Sequence, residues 1–295
     1  LATIRAIRGR IKSVKNISQV TRAMEMVAAS KMRRAQLATL ASRAYSEKAR
    51  LVLAAVSDQP GGGKMLNPLL AERAERKNIL LILIAGDRGL CGSYNANIFR
   101  AATHFMREAK TPVQVITIGR RARDFAVRRG MNLIGEFTGL SERPSFIQIG
   151  PIARLALSEF ISGRVDEVHI AYTDFINVVV QKPNARHLLP MRVEKATAAE
   201  TKMRAVYLYE PDPETLLATV LPRMFETQIY QALLESVASE HSARMVAMHN
   251  ASDNARELID SLTLEANKAR QTAITKEMLD IAGGAEALRK TLAKG

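Results

Sequence analysis

Tryptophan is absent from this 295-residue chain and cysteine occurs once, at Cys91. The first absence removes a residue that often anchors tight interfaces, and the second rules out an internal disulfide and suits a reducing compartment. Long apolar runs are missing too. The longest, Ile79 to Ala85, falls far short of the roughly 18–20 residues needed to cross a bilayer, and no secretory h-region precedes the first helix, so no membrane span or export signal is expected. Helix breakers are missing from the two ends: all ten prolines lie between Pro60 and Pro222, and apart from Gly9 the glycines avoid both flanks until Gly283.

Each end is therefore expected to form one continuous helix. At 1.5 Å per residue, Ala2 to Asp58 would be roughly 80 Å long and Arg223 to Ala282 roughly 90 Å. Helices of that length cannot bury an apolar stripe in a compact core, so each must lie against another long helix or inside a partner. In the second, Met245, Met248, Ser252, Ala255, Ile259, Leu262, Ala266, Ala269 and Ala273 recur at alternating steps of three and four, the signature of a coiled-coil seam. Its small residues favour close approach over stability. In the first, Ile4, Ile7, Ile11 and Val14 keep heptad spacing, but the apolar stripe then runs through Ile17, Val20, Met24 and Val27. That change predicts a slip of register and local overwinding.

Charge separates the two helices. Residues 1–59 carry 12 Lys/Arg against three acids, whereas residues 223–295 carry 9 against 10, so most of the net +14 sits at the amino-terminal end. Arg5, Arg8, Lys12, Lys15 and Arg22 form a basic band beside the apolar stripe, fit for nucleic acid, an anionic membrane surface, acidic protein or plain solvation.

The middle has a different grammar. Gln59, Pro60 and Gly61 to Gly63 end the first helix. Asn78 to Ala85 then reads as a doubly covered strand, with helix at Asn95 to Lys110, strand at Val113 to Ile118 and helix at Gly119 to Arg129. Further strands are expected at Ser145 to Ile149, Glu167 to Tyr172, Val178 to Lys182 and Leu188 to Met191. The fold class is thus α/β with long helices: an antiparallel coiled coil of the amino- and carboxy-terminal helices plus a central Rossmann-like three-layer α/β domain. The expected division is 1–59, 60–210 and 211–295.

No catalytic centre stands out. The loop Gly86-Asp87-Arg88-Gly89-Leu90-Cys91-Gly92 lies between strand and helix, but its glycine spacing matches neither the P-loop nor the dinucleotide fingerprint. It reads as a tight turn with glycines at positive φ and with Asp87 and Arg88 bonding the loop. Cys91 has no histidine nearby in sequence, and His104, His169, His187, His241 and His249 show no metal-ligand spacing, so no metal site is expected. Glu277 and Asp280 read as solvated helix charges. Aromatics on the two long helices reduce to Tyr45, Phe225 and Tyr230, which suits contacts that are remade. Taken alone, these features leave open a basic coiled-coil nucleic-acid-binding protein and an α/β enzyme with a helical oligomerisation stalk.

Particular segments narrow this. Ile11-Lys12-Ser13-Val14-Lys15-Asn16-Ile17, Thr21 to Met32, the loop Gly86 to Gly92, Ala243-Arg244-Met245, Ser252-Asp253-Asn254-Ala255, Asn267 to Gln271 and Ile274-Thr275 together resemble the γ subunit of F-type ATP synthase, over the whole chain and in the right order. The resemblance implies a non-catalytic rotor shaft inside a hexamer of α and β subunits. It also implies a foot on the c ring and ε subunit, with ATP, ADP and Mg²⁺ on the partners and none on this chain, and no nucleic-acid partner or transmembrane segment. It implies that Arg270 and Gln271, with Arg244, Thr275 and Glu277 nearby, meet the catalytic subunits, and that Met24, Lys31, Arg33 and Arg34 face an acidic segment of β. Tyr207 and Glu210 resemble the foot region that contacts the c ring and ε. The implied location is peripheral, on the cytoplasmic face of a bacterial plasma membrane, with an organellar equivalent possible. The paired regulatory cysteines of the plant chloroplast form are missing, and Leu1 in place of an initiator methionine suggests processing or trimmed numbering.

Overall fold

A computed structural model describes residues 4–57, 67–73, 75–140, 144–192 and 213–292, with the side chains of 42–57, 213, 214, 216, 287 and 290–292 left aside. In chain order the elements are α1 (Ile4–Ser57), a 3₁₀ turn (Pro68–Leu70), β1 (Ile79–Ile84), α2 (Tyr94–Ala109), β2 (Val113–Ile118), α3 (Arg120–Arg128) and β3 (Asn132–Phe137). A second 3₁₀ turn (Phe146–Ile149), α4 (Gly150–Ile161), β4 (Glu167–Phe175), β5 (Gln181–Leu189) and α5 (Pro213–Leu292) follow. No described helix is long and apolar enough to cross a membrane.

Both end helices exist, and α5 is longer than expected at 80 residues, with Pro222 inside it. A proline in a helix interior loses a hydrogen bond and costs about 3 kcal/mol; here the flanking Leu221, Met224 and Phe225 are buried in the core and hold the turn in place. Gly283 and Gly284 likewise fail to end it, since each glycine costs only about 1 kcal/mol in a helix.

The chain forms two compact units, residues 28–245 and residues 1–27 with 246–295, so the division does not follow the composition breaks near 60 and 210. In the larger unit the strand order is β3-β2-β1-β4-β5, with β5 antiparallel and the rest parallel. Central β1 is buried at every position, which explains its unbroken Ile-Leu-Leu-Ile-Leu-Ile sequence: both faces are covered. Leu81 and Leu83 pack under α2 and α3 with Ile98, Ala102 and Phe125. Leu80, Ile82 and Ile84 pack on the opposite face with Ala153 and Phe160 of α4 and with Phe225, Ile229 and Leu233 of α5. The first third of α5 is thus a layer of the α/β fold.

In the middle of the chain the structure departs from the expected elements. Ser145 to Ile149 is a 3₁₀ turn closed by a reciprocal Ser145–Gln148 capping box, not a strand. β3 and α4 went unread. The two short strands expected at 178–182 and 188–191 are one, β5, with Pro183 inside it; as an edge strand it tolerates the missing N–H.

In the smaller unit the two helices form an antiparallel coiled coil. On α1 the buried or half-buried positions are Ile4, Ile7, Ile11, Val14, Ser18, Thr21, Met24 and Glu25, while Ile17, Val20 and Val27 are 54%, 59% and 56% exposed. The heptad register therefore does not slip. It continues through polar residues, and the Thr21 hydroxyl is satisfied within its own helix by the carbonyls of Ile17 and Ser18 at 3.1 and 3.0 Å. Of the apolar residues that suggest a slip, Ile17, Val20 and Val27 form a second, outward stripe, while Met24 is half-buried.

Candidate functional site

In an open parallel sheet the binding crevice opens beyond the carboxyl ends of the strands where the order reverses, here β1 and β4. The loop Gly86–Gly92 lies there, bonded to the elements around it. Asp87 caps the start of α3, accepting from the backbone N–H of Arg120 at 3.0 Å and from Gly139 N–H at 3.1 Å. Asn95 accepts from Gly86 N–H at 3.0 Å and donates to Cys91 Sγ at 3.1 Å. Positive φ falls on Leu90 and Gly92, not on Gly86 or Gly89. Burial pushes the Cys91 thiol pKa up, with Glu240 adding to the effect, so it is a poor thiolate source.

A stripe of polar residues on α5 fills the crevice. Ser236 Oγ lies 3.0 Å from the Tyr94 hydroxyl and accepts from Thr173 N–H at 3.3 Å. Ser239 donates to the Thr173 carbonyl at 3.2 Å. One turn on, the Glu240 carboxylate sits against Gly86 so closely that a Cβ there would lie 2.9 Å from its Cδ. Gly86 is required by close approach, not by its φ. Burial pushes the Glu240 pKa up, and Arg244 opposes that shift through a charge-assisted bond of 2.6 Å. Arg244 also donates to Gly89 O at 3.2 Å and lies 3.2 Å from His241 Nδ1. An arginine can only donate, so His241 is neutral with its proton on Nε2. Burial first, then the charge of Arg244, brings its pKa down to about 4.

In the coiled coil, Met248, Ser252, Ala255 and Leu262 are buried and Met245, Ile259, Ala266 and Ala269 half-buried, as the heptad reading requires. Ala273 leaves the seam and is exposed. His249 bridges two acids, with Nδ1 at 3.1 Å from Glu25 and Nε2 at 3.4 Å from Asp253. Beyond Ala269 every position through Glu286 faces water, including Ile274, Met278, Leu279 and Ile281. The basic band Arg5, Arg8, Lys12, Lys15 and Arg22 is exposed throughout.

A family model described as ATP synthase matches residues 3–288. An ATP synthase gamma chain from Dehalococcoides mccartyi is 49% identical over 288 residues, 98% of this chain and 100% of that one. The chain belongs to the ATP synthase γ-chain family. A second γ chain, from Chloroflexus aurantiacus, is 48% identical over 96% of this chain and 98% of its own. Among solved structures, the central stalk and c-ring structure of Tetrahymena thermophila mitochondrial ATP synthase matches with a TM-score of 0.61 at 25% identity, covering 79% of this chain and 99% of that one. An OSCP/F1/c-ring structure from Euglena gracilis mitochondrial ATP synthase gives 0.66 at 20% identity, covering 97% and 94%.

The residues singled out from the γ-chain resemblance fall into four places. Arg270, Gln271, Thr275 and Glu277 lie together on the exposed end of α5, the Thr275 hydroxyl bonding Gln271 O at 3.0 Å. Met24 is half-buried beside the seam, while Arg33 and Arg34 are exposed and Lys31 half-buried farther along α1. Arg244 alone is buried, its guanidinium committed to Glu240 and the Gly89 carbonyl. Tyr207 and Glu210 lie outside the described residues.

Two groupings went unread in the sequence. Glu240 and Arg244 are spaced like an ordinary surface pair on a helix, and only Gly86 hinted that something approaches closely. The histidines do meet: among the described residues, Glu167, His169 and His187 bring one ligand atom each within 4.8 Å of one another. The alternation Glu167-x-His169 on one strand was the available signal, and the pairing with His187 required knowing the β4–β5 register.

Proposed function

We propose that this γ chain is the central rotor subunit of an F-type ATP synthase, turning inside a hexamer of α and β subunits with its foot on the c ring and the ε subunit. Ion-driven rotation of the ring turns the shaft, the shaft changes the nucleotide affinity of each β subunit in sequence, and hydrolysis drives the reverse. A contact can do this only through unequal energies in the partner's states. The reading fits an asymmetric coil with a basic, partly apolar flank on α1 and a near-neutral α5.

We further propose that the chain is non-catalytic. ATP, ADP and Mg²⁺ are bound by the partners and none of them by this chain. The observation that carries this is the filled crevice: Ser236, Ser239 and Glu240 occupy the end of β1 and β4, where a nucleotide would otherwise lie, and they put a carboxylate there.

Arg270, Gln271, Thr275 and Glu277 meet loops of the catalytic subunits in this reading, and Met24, Lys31, Arg33 and Arg34 face the acidic segment of β. Tyr207 and Glu210 face the c ring and ε. Arg244 acts with the first group through the loop it holds, since its own guanidinium is buried. The complex sits peripherally on the cytoplasmic face of a bacterial plasma membrane.

Mixing the purified chain with α and β subunits tests the proposal. The expected result is no ATP binding or turnover by the chain alone and hydrolysis by the reconstituted complex. Failure to join the hexamer, or ATP turnover by the isolated chain, would overturn it.

A further inference from the structure

We infer that the α/β domain carries a structural site for a divalent transition-metal ion, Zn²⁺ above all, at Glu167, His169 and His187. Glu167 and His169 are two apart on β4 and so share a face of the sheet, and His169 pairs directly with His187 across the antiparallel β4–β5 ladder. One ligand atom from each lies within 4.8 Å of the others. His₂Glu is a zinc-binding set that leaves a fourth position for water.

Two further observations point to a ligand. His187 Nε2 is buried and has no hydrogen-bond partner, a costly state for a polar atom unless something completes it. A cavity of about 80 Å³ lined by Glu167 and His187, and also by Arg73, Arg76 and Arg192, reaches two of the three groups.

The carboxylate is already oriented from outside. Arg76 Nε lies 2.8 Å from Glu167 Oε1 while His169 Nε2 lies 2.9 Å from Oε2. An ion taking Oε2 would displace the contact with His169 and leave Arg76 as an outer partner, the arrangement that tunes metal ligands elsewhere. A tetrahedral ion bound at about 2.0–2.1 Å wants its ligands roughly 3.4 Å apart. Ligand atoms that lie within 4.8 Å of one another must therefore close by up to about 1.4 Å, and the 2.9 Å contact must open. The positive charge of Arg76 and Arg192 next to the set opposes every cation, so an ion held there owes its affinity to the two imidazoles. Bound there, the ion would tie edge strand β5 to β4.

Titration calorimetry of the untagged, chelator-washed full chain with Zn²⁺ tests this. One ion per chain is expected, with a raised melting temperature, no response to Mg²⁺, and a Co²⁺ complex showing the visible absorption of tetrahedral coordination. His187→Gln should abolish binding, Arg76→Gln, which removes a cation competing for Glu167, should strengthen it, and His104→Gln, an exposed histidine on α2, should leave it unchanged. Because Arg76 is a surface side chain, its variant folds even if a strand substitution does not. No saturable Zn²⁺ binding, binding by Arg76→Gln no tighter than by wild type, or loss in His104→Gln equal to that in His187→Gln would overturn the inference.

Discussion

The two compact units solve burial in opposite ways. In the α/β unit, β1 and its neighbours enclose Ile and Leu side chains completely, and even the polar stripe of α5 is sealed by matched partners. In the coiled coil the seam is Ser, Thr, Ala and Met at many positions, half of them only partly covered, while larger apolar residues such as Ile17 and Val20 face outward. The foot is specified by its interior. The coil is specified by spacing, with its chemistry on the outside, so substitutions in the two should fail differently.

The largest effect should come from unbalancing the sealed pair. Glu240→Ala leaves the Arg244 guanidinium buried without its 2.6 Å partner and is expected to cost about 3–5 kcal/mol, read from denaturant midpoints; the double variant with Arg244→Met should recover most of the loss. Next, Ile82→Ala in fully buried β1 should cost about 2–5 kcal/mol with an unchanged m-value.

Acid should then act on the α/β unit. His187 and His241 have folded pKa values of about 4 against an ordinary 6.5, both set first by burial. Between those values the unfolded chain binds more protons, so stability is fully present above pH 6.5 and falls as pH drops toward 4. Melting temperatures across that window should decline in the wild type and less steeply in His241→Gln. The smallest effect belongs to the seam. Ser252 is buried and its hydroxyl has no protein partner, so Ser252→Ala should change stability by less than about 1 kcal/mol. A larger loss would mean that the seam is as finely fitted as the sheet.

Much of the fold was legible because its strongest signals are local. Breaker-free flanks gave both helices, and the apolar runs at β1 and β2 gave their strands almost to the residue. Half-buried β3, Asn-Leu-Ile-Gly-Glu-Phe, has no such run. Phe146 to Ile149 looked strand-like because burial alone does not distinguish a strand from a 3₁₀ entry to a helix. The apparent register slip in α1 followed hydrophobicity, whereas position in the heptad followed geometry: Ser18 and Thr21 lie inside and Ile17 and Val20 outside. Of the site, the loop and the exposed end of α5 were visible. The plug was not, since Glu240 and Arg244 acquire meaning only when α5 is laid across Gly86.

The outward stripe of Ile17, Val20 and Val27 also bears on the life of the subunit before assembly. A helix that shows water an apolar line along one side and a basic band along another is poorly soluble by itself and prone to pair with whatever apolar surface it meets. Copies synthesised in excess of their partners would carry that face uncovered, open to self-association and to the proteases and chaperones that survey such surfaces. The same residues would thus tie the lifetime of the chain to the supply of its partners, a stoichiometric control written into side chains that the coil itself has no use for.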